Sequence, residues 1–329
     1  MRIAVIGAGA MGQLFGTKLV NGGHDVVMVD ASPAVLAAID QTGMTLREGG
    51  SSTTVSCATS LATELTGTVD GVLLLTKTLH SAAAIASVRH VLTEQTVGIS
   101  VQNGLGNEEP LLPHFGVERT LIGMTDYPAD RESDGTISTE SSGSVRLGGL
   151  VPAAADRARL WASLFAGAGL DTAFEADVMV SIWEKVIFNA ALNTISAATG
   201  LTLGQIATHP SGLGLVDSVL AEALAVARAE GVHTNEARVR SAVTAALQHH
   251  GDHRTSMLVD LEAGRGTEID SIAGALVDHA TQRSVATPVL SALSDVVRLR
   301  TKPEPAHATA AGNGERPARF PGRAARALG

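Results

Sequence analysis

Along the first half of the chain, short runs of nearly unbroken apolar residues alternate with stretches whose apolar positions recur every three or four residues. Arg2 to Ile6 precedes a helical pattern lasting to Val20, Asp25 to Val29 precedes one starting at Pro33, and Gly71 to Leu75 precedes one over Ser81 to Leu92. A further run follows at Val97 to Val101. Continuous apolar runs bounded by turns read as strands buried on both faces, and their alternation with helices predicts a parallel sheet wound by crossover helices. Residues 43–59 read as short extended segments. Period-two patterns at Leu121 to Thr125, Thr136 to Glu140 and Ser144 to Leu147 predict strands, with Asp134-Gly135 and Ser142-Gly143 as turns. A helix at Ala153 to Ala166 and a short strand at Thr172 to Phe174 close this part of the chain.

Beyond Asp177 the sequence predicts no strand. Helical patterns cover Val178 to Gly200, Gly214 to Glu230, Glu236 to His249, Thr255 to Ala263, Ile269 to Arg283 and Pro288 to Leu299. Two domains are therefore expected, an α/β domain over residues 1–175 and an all-helical domain over 176–302. From Pro303 to Gly329, Ala, Pro, Gly and Arg alternate without apolar periodicity, which predicts a disordered tail.

The turn after the first strand reads Gly7-Ala8-Gly9-Ala10-Met11-Gly12 and opens a helix. Strand, glycine turn and helix form the context in which Gly-x-Gly-x-x-Gly binds a dinucleotide. The first glycine makes the tight turn, the second admits the pyrophosphate to the backbone, and the third lets helix and strand pack closely. The phosphate is then held by unpaired N–H groups and the helix dipole. This makes the first domain a Rossmann-type NAD(P)-binding domain.

The second strand ends at Asp30, eighteen residues past Gly12, where a carboxylate can accept from both ribose hydroxyls and repel a 2′-phosphate. No Arg follows in Ala31-Ser32-Pro33, so Asp30 favours NADH; its structural alternative is to organise the start of the next helix. Lys77 and Asn103 each lie just after a predicted parallel strand, at the carboxyl edge where open α/β sheets bind ligands. A solvated surface Lys and a left-handed turn before Gly104 are the competing explanations.

The helix from Val178 carries Lys185, Asn189 and Asn193 among Ile182, Trp183, Val186, Ile187, Ala190, Leu192 and Ile195. Spacings of four and eight confine the three polar groups to an arc of roughly 80° along about 12 Å of helix. Burying them unpaired would cost several kcal/mol, so they are expected to line a ligand site. A desolvated Lys has its pKa lowered toward neutrality, where it can hold and release a proton, and carboxamides can hold a substrate carboxylate without charge repulsion. Ser256 and Glu268 stand at expected helix starts, where capping by Ser256 and by Thr267 with Glu268 in the first turn is the structural alternative.

Composition narrows the function classes. The 329 residues carry a net charge of −9, which argues against a nucleic-acid surface. Hydrophobic residues make up 45% and aromatics only 3%, so the core relies on Ala, Val, Leu and Ile. No apolar run reaches the roughly 20 residues of a membrane span. The single cysteine, Cys57, excludes an intramolecular disulfide and fits a cytoplasmic protein; it reads as a core filler. His249, His250 and His253 lack companion carboxylates, so no metal is expected. The apolar helical domain is compatible with a homodimer.

These motifs, in this order, resemble the ketopantoate reductase (2-dehydropantoate 2-reductase) family over residues 1 to about 300. The resemblance rests on Gly7 to Gly12, Lys77, Gln102-Asn103-Gly104-Leu105-Gly106, Trp183-Glu184-Lys185 with Asn189 and Asn193, and Ser256 with Glu268-Ile269-Asp270. It implies reduction of a 2-oxo acid, 2-dehydropantoate to D-pantoate in the family, usually with NADPH. Lys185 would be the general acid, and Asn103, Asn189, Asn193 and Ser256 would contact substrate. Asn103 would also touch the cofactor, beside Lys77 and Glu268. The chain departs from the pattern at Ala31, where NADPH-using members commonly carry Arg. It departs again at Gly200-Leu201-Thr202-Leu203, where many carry a further substrate-contacting Asn. The competing functions are a β-hydroxyacid or opine-type dehydrogenase and a non-catalytic dinucleotide-sensing protein.

Overall fold

Ile3 and Val5 pack into one apolar cluster with Leu14, Phe15 and Met28, while Ala4 and Ile6 between them pack into another with Val27, Val72 and Ile85. The first strand is thus buried on both faces, which is why its apolar run is unbroken. A computed structural model of the chain describes residues 1–139, 143–249 and 251–301. The tail from Pro303, Glu140, the Ser142 position of one expected turn, and His250 lie outside the described residues. The chain divides into two units, Met1–Ile187 and Phe188–Gly329.

The first unit runs β1 (Arg2–Ile6), α1 (Ala10–Asn21), β2 (Asp25–Val29), α2 (Pro33–Thr42), β3 (Met44–Glu48), β4 (Ser51–Val55), β5 (Ala58–Ser60), β6 (Gly71–Leu74), α3 (Ser81–Ser87), β7 (Val97–Ser100), α4 (Leu112–Phe115) and β8 (Thr120–Thr125). It continues with β9 (Asp130–Arg131), β10 (Ile137–Thr139), β11 (Val145–Gly149), α5 (Ala155–Gly167) and β12 (Thr172–Phe174), and ends in the first turns of α6 (Val178–Thr199).

Eight strands form the main sheet in the order β12-β11-β8-β7-β6-β1-β2-β5, parallel throughout except where β11 runs antiparallel to β8. From β5 to β8 this is the doubly wound dinucleotide order, and the direction of winding reverses between β1 and β6. That switch point places the ends of β1 and β6 side by side. Phe15, Trp161 and Phe165 close one face of the sheet with edge-to-face ring contacts at 5.8 and 6.1 Å.

Of the extended segments expected at 43–59, β3 and β4 join the strand expected near 136 in a second sheet, β4-β3-β10-β9, while β5 edges the main sheet. Met44, Leu46 and Ile137 fasten it to the main core, while β4 lies largely in solvent. The helix expected over Ser81 to Leu92 stops at Ser87 and continues as a 3₁₀ turn, Arg89–Val91. Its buried residues Ile85, Val88 and Val91 are spaced by three, the period of a 3₁₀ turn rather than an α-helix.

The second unit comprises the rest of α6, then α7 (Leu203–Thr208), α8 (Gly212–Ala229), α9 (Glu236–His249), α10 (Ser256–Glu262), a π turn (Asp270–Gly274), α11 (Ala275–Gln282) and α12 (Pro288–Arg300). Helix α7 was not expected. Thr202 and Gln205 form a capping box at its start. The helix expected from Ile269 opens instead with the π turn, closed by the Gly274 N–H donating to the Ile269 carbonyl at 2.8 Å. A side chain at Gly274 would lie 2.7 Å from the Arg298 guanidinium, which pairs with Asp270 at 2.8 Å, so the glycine leaves room for that ion pair. Thr267 caps nothing: its hydroxyl is buried without a hydrogen-bond partner.

Candidate active site

The three glycines of the first turn occupy different physical situations. Gly7 adopts φ +103°, and a Cβ there would lie 2.8 Å from the backbone of Leu75 and Thr76 at the end of β6. Only glycine lets the two strand ends meet at the switch point. A Cβ at Gly12 would collide with the Gly7 carbonyl, whereas one at Gly9 would have no atom within 4 Å. Gly9 is exposed and caps α1 without a side chain, and the first turn of α1 carries no acidic residue. Its N-terminal N–H groups and dipole therefore suit a pyrophosphate arriving over Gly9, with Ala8 buried and Ala10 and Met11 half-buried around it.

Asp30, half-buried at the end of β2, accepts the Ala8 N–H through Oδ2 at 2.7 Å and the Ser32 N–H through Oδ1 at 2.9 Å. Each oxygen keeps further lone-pair capacity for a ribose hydroxyl. Ser32 itself caps α2 by accepting the Val35 N–H. Asp30 therefore braces the glycine turn and the start of α2 together, and its remaining lone pairs leave it able to accept from a ligand hydroxyl.

At the ends of β6 and β7 the half-buried Lys77 and Asn103 flank a buried amide network. Gln102 Nε2 donates to the Thr76 carbonyl at 2.6 Å and to Ser81 Oγ at 2.9 Å, and its Oε1 accepts from Ser100 Oγ at 2.8 Å. The left-handed conformations in the following loop fall on Gly104 and Gly106, not on Asn103, which removes the turn-forming explanation of that residue.

Lys185, half-buried in the second turn of α6, donates to the carbonyl of Thr125, the last residue of β8. Met179 and Ile182 of the same helix share a small pocket with Ile122 and Gly123 of β8 and with Gly104 to Glu108. The Lys185 turn and the Asn103 loop are thereby neighbours at the carboxyl edge of the sheet. Asn189 and Asn193 follow Lys185 one and two turns along α6, only 7% and 9% exposed.

In the second unit, Thr255 and not Ser256 caps α10, accepting the Leu258 N–H at 3.4 Å. That leaves the exposed Ser256 hydroxyl outside the cap. Glu268 precedes the π turn, half-buried, its carbonyl accepting from Ser271 Oγ and from the Ile272 N–H. Cys57 packs beside the core and burial pushes its thiol up to about 11, which disfavours the thiolate a nucleophile needs.

Residues 3–151 match the family described as "Ketopantoate reductase PanE/ApbA" and residues 177–301 match that family's C-terminal part. The chain belongs to the ketopantoate reductase family. Among similar proteins is the 2-dehydropantoate 2-reductase of Halobacterium salinarum, 29% identical over 301 residues that cover 91% of this chain and 98% of the relative. A crystal structure of 2-dehydropantoate 2-reductase from Geobacter metallireducens superposes with TM-score 0.84 at 28% identity, covering 92% of this chain and all of the other. The ternary structure of D-mandelate dehydrogenase with NADH and anilino(oxo)acetate superposes with TM-score 0.87 at 26% identity, covering 92% and 98%.

Three buried amides of this ketopantoate reductase family member brace its loops, and none was assigned a role from the sequence. Gln13 Nε2 donates to the Ala8 carbonyl at 2.9 Å and holds the glycine turn from within α1. Gln102 and Asn107 do the same for the loop after β7. Gln13 was visible as a polar residue in an apolar helix and Gln102 and Asn107 only as loop polars, and nothing in their spacing distinguishes an internal brace from a ligand group.

Proposed function

We propose that this chain catalyses the NAD(P)H-dependent reduction of a 2-oxo acid to a 2-hydroxy acid, with 2-dehydropantoate, reduced to D-pantoate in pantothenate biosynthesis, as the first candidate substrate. Residues 1–175 would hold the cofactor and 176–302 the remaining substrate contacts. The observation that carries the proposal is the Lys185 ammonium held at the carboxyl end of β8, beside the loop that bears Asn103.

When bound, the dihydronicotinamide supplies a hydride to the carbonyl carbon of the oxo acid. Lys185 delivers the proton that the carbonyl oxygen then needs, and its hydrogen bond to Thr125 keeps the proton-bearing nitrogen at the sheet edge. Asn103, Asn189, Asn193 and Ser256 bind the substrate through amide and hydroxyl groups that carry no opposing charge. Gly7, Ala8, Gly9, Ala10, Met11 and Gly12 cradle the pyrophosphate, Asp30 binds the ribose, and Lys77 and Glu268 complete the cofactor contacts. Asp30 makes NADH the preferred donor over NADPH, because a 2′-phosphate would meet its carboxylate.

A second reading within the same chemistry is reduction of a 2-oxo acid other than 2-dehydropantoate. It is supported by residues 200–203, where Thr202 is committed to the capping box of α7, and by the similarity to D-mandelate dehydrogenase. The deciding experiment follows oxidation of NADH and NADPH by the purified chain against a panel of 2-oxo acids. Turnover of none of them would refute both readings.

A further inference from the structure

Asn107 is 6% exposed and belongs to no helix or strand, yet its side chain is one of the most heavily engaged in the first unit. Its Nδ2 lies 3.1 Å from the Gln102 carbonyl, 3.2 Å from that of Asn103 and 3.1 Å from that of Gly104. Two N–H groups thus serve three consecutive carbonyls, which obliges one bond to be shared. Thr78 Oγ1 donates to Asn107 Oδ1 at 3.5 Å, a long contact that reaches the turn following Lys77. Three successive peptide carbonyls that converge on one point cannot belong to a strand or a helix. The loop bends around the amide, and Gly104 and Gly106 absorb the curvature with φ of +99° and +80°.

This arrangement fixes the two peptide planes that flank the Cα of Asn103, and so the direction in which its side chain leaves the backbone. We propose that Asn107 is a positioning residue for Asn103: its carboxamide gathers the three carbonyls inward and presents Asn103 at the sheet edge in the orientation that ligand binding requires. The proposal rests on Asn103 being a ligand contact, as in the function proposed above. Without the amide the carbonyls lose a buried partner and the loop relaxes to reach other donors or water. A displacement of about 1 Å at a positioned group is enough to cost on the order of 10²-fold in catalytic efficiency, and where the group only binds substrate the loss falls on KM.

The test is a double-mutant cycle on the full chain with Asn103→Ala and Asn107→Ala, read as kcat and KM for the 2-oxo acid and as the dissociation constant for NADH from a fluorescence titration. Asn107→Ala should lower kcat/KM at least about tenfold, chiefly through KM, yet change it by less than about twofold when Asn103 is already alanine. Asn107→Ser, which keeps one donor and guards against an unfolded alanine variant, should fall between wild type and Asn107→Ala. Additive losses in the cycle, or an Asn107→Ala variant within about twofold of wild type, would overturn the proposal. An effect of Asn107→Ala beside a silent Asn103→Ala would overturn it too. If the wild type binds NADH but turns over no 2-oxo acid, the proposed reaction fails, and the same cycle read on the NADH dissociation constant still decides the role of Asn107.

Discussion

Asp30 accepts the backbone N–H of Ala8 across 2.7 Å, so the carboxylate at the end of β2 and the glycine turn after β1 are one hydrogen-bonded unit. The consequence is that Asp30→Ala removes two things at once, a ribose acceptor and a brace of the phosphate turn. Affinity for both cofactors should fall. Asp30→Asn keeps the acceptor oxygen that can face Ala8 but drops the negative charge that opposes a 2′-phosphate. The ratio of kcat/KM for NADH to that for NADPH should therefore decline by about tenfold or more in the Asn variant, as expected when a charge contact worth about 1.4 kcal/mol is lost. A ratio that stays at the wild-type value would leave Asp30 with the turn alone.

Lys185→Ala should lower kcat by at least about 10²-fold, the usual contribution of a positioned general acid. The melting temperature should change little, since the half-buried ammonium is tied to the structure by a bond to a backbone carbonyl that water can replace. Binding of NADH should persist, because Lys185 is assigned to the proton and not to the dinucleotide. Retention of wild-type kcat would remove the general-acid role. NADH binding by the wild type without turnover of any 2-oxo acid, and unaltered by Lys185→Ala, would instead favour a sensing protein over an enzyme.

The two-part architecture was legible because its signals are local. An unbroken apolar run marks a doubly buried strand, and Gly7, Gly9 and Gly12 announce themselves by spacing. What stayed hidden depends on contacts distant in sequence. The second sheet pairs Leu46 with Ile137, ninety-one positions away, and neither segment declares its partner. The π turn packs Gly274 close to the guanidinium of Arg298, a residue in another helix, and nothing near Gly274 in sequence signals that approach. Helix α7 is the exception, since Thr202 and Gln205 spell a capping box that the sequence did display. Along α6, Lys185, Asn189 and Asn193 stood out as polar breaks in an apolar helix. By contrast Gln102 and Asn107 are loop residues, where polarity carries no such signal.

Stability of the second unit should depend on pH through Glu230. Its carboxylate accepts from His279 Nδ1 at 2.8 Å and from Arg283 Nη2 at 3.0 Å. Burial pushes its pKa up, but the hydrogen bonds and charges of Arg283 and His279 outweigh that and hold it below the usual value of 4.5. A carboxylate with a depressed folded pKa stabilises above its unfolded pKa and ceases to do so as pH falls through the folded one. Glu230→Gln should therefore lower stability near neutral pH by roughly 1 kcal/mol, a figure kept small because Arg283 is exposed. The gap from wild type should be full above 4.5 and close as pH falls through the lowered folded value. Urea titrations at several pH values would show it, and a gap independent of pH would assign the loss to packing.

Gly9 and Gly12 offer a test that separates ligand binding from folding. A methyl group at Gly12 would strike the Gly7 carbonyl, so Gly12→Ala should force helix α1 away from β1 and lower stability by several kcal/mol or prevent folding. A methyl group at Gly9 would meet no protein atom within 4 Å. Gly9→Ala should consequently fold with a melting temperature close to wild type. It should nonetheless weaken NADH binding by about tenfold or more, because the methyl occupies the space through which a pyrophosphate reaches the N–H groups of α1. Thermal denaturation paired with a fluorescence titration of NADH distinguishes the two substitutions. Unchanged NADH affinity in Gly9→Ala would place the dinucleotide somewhere other than over this turn.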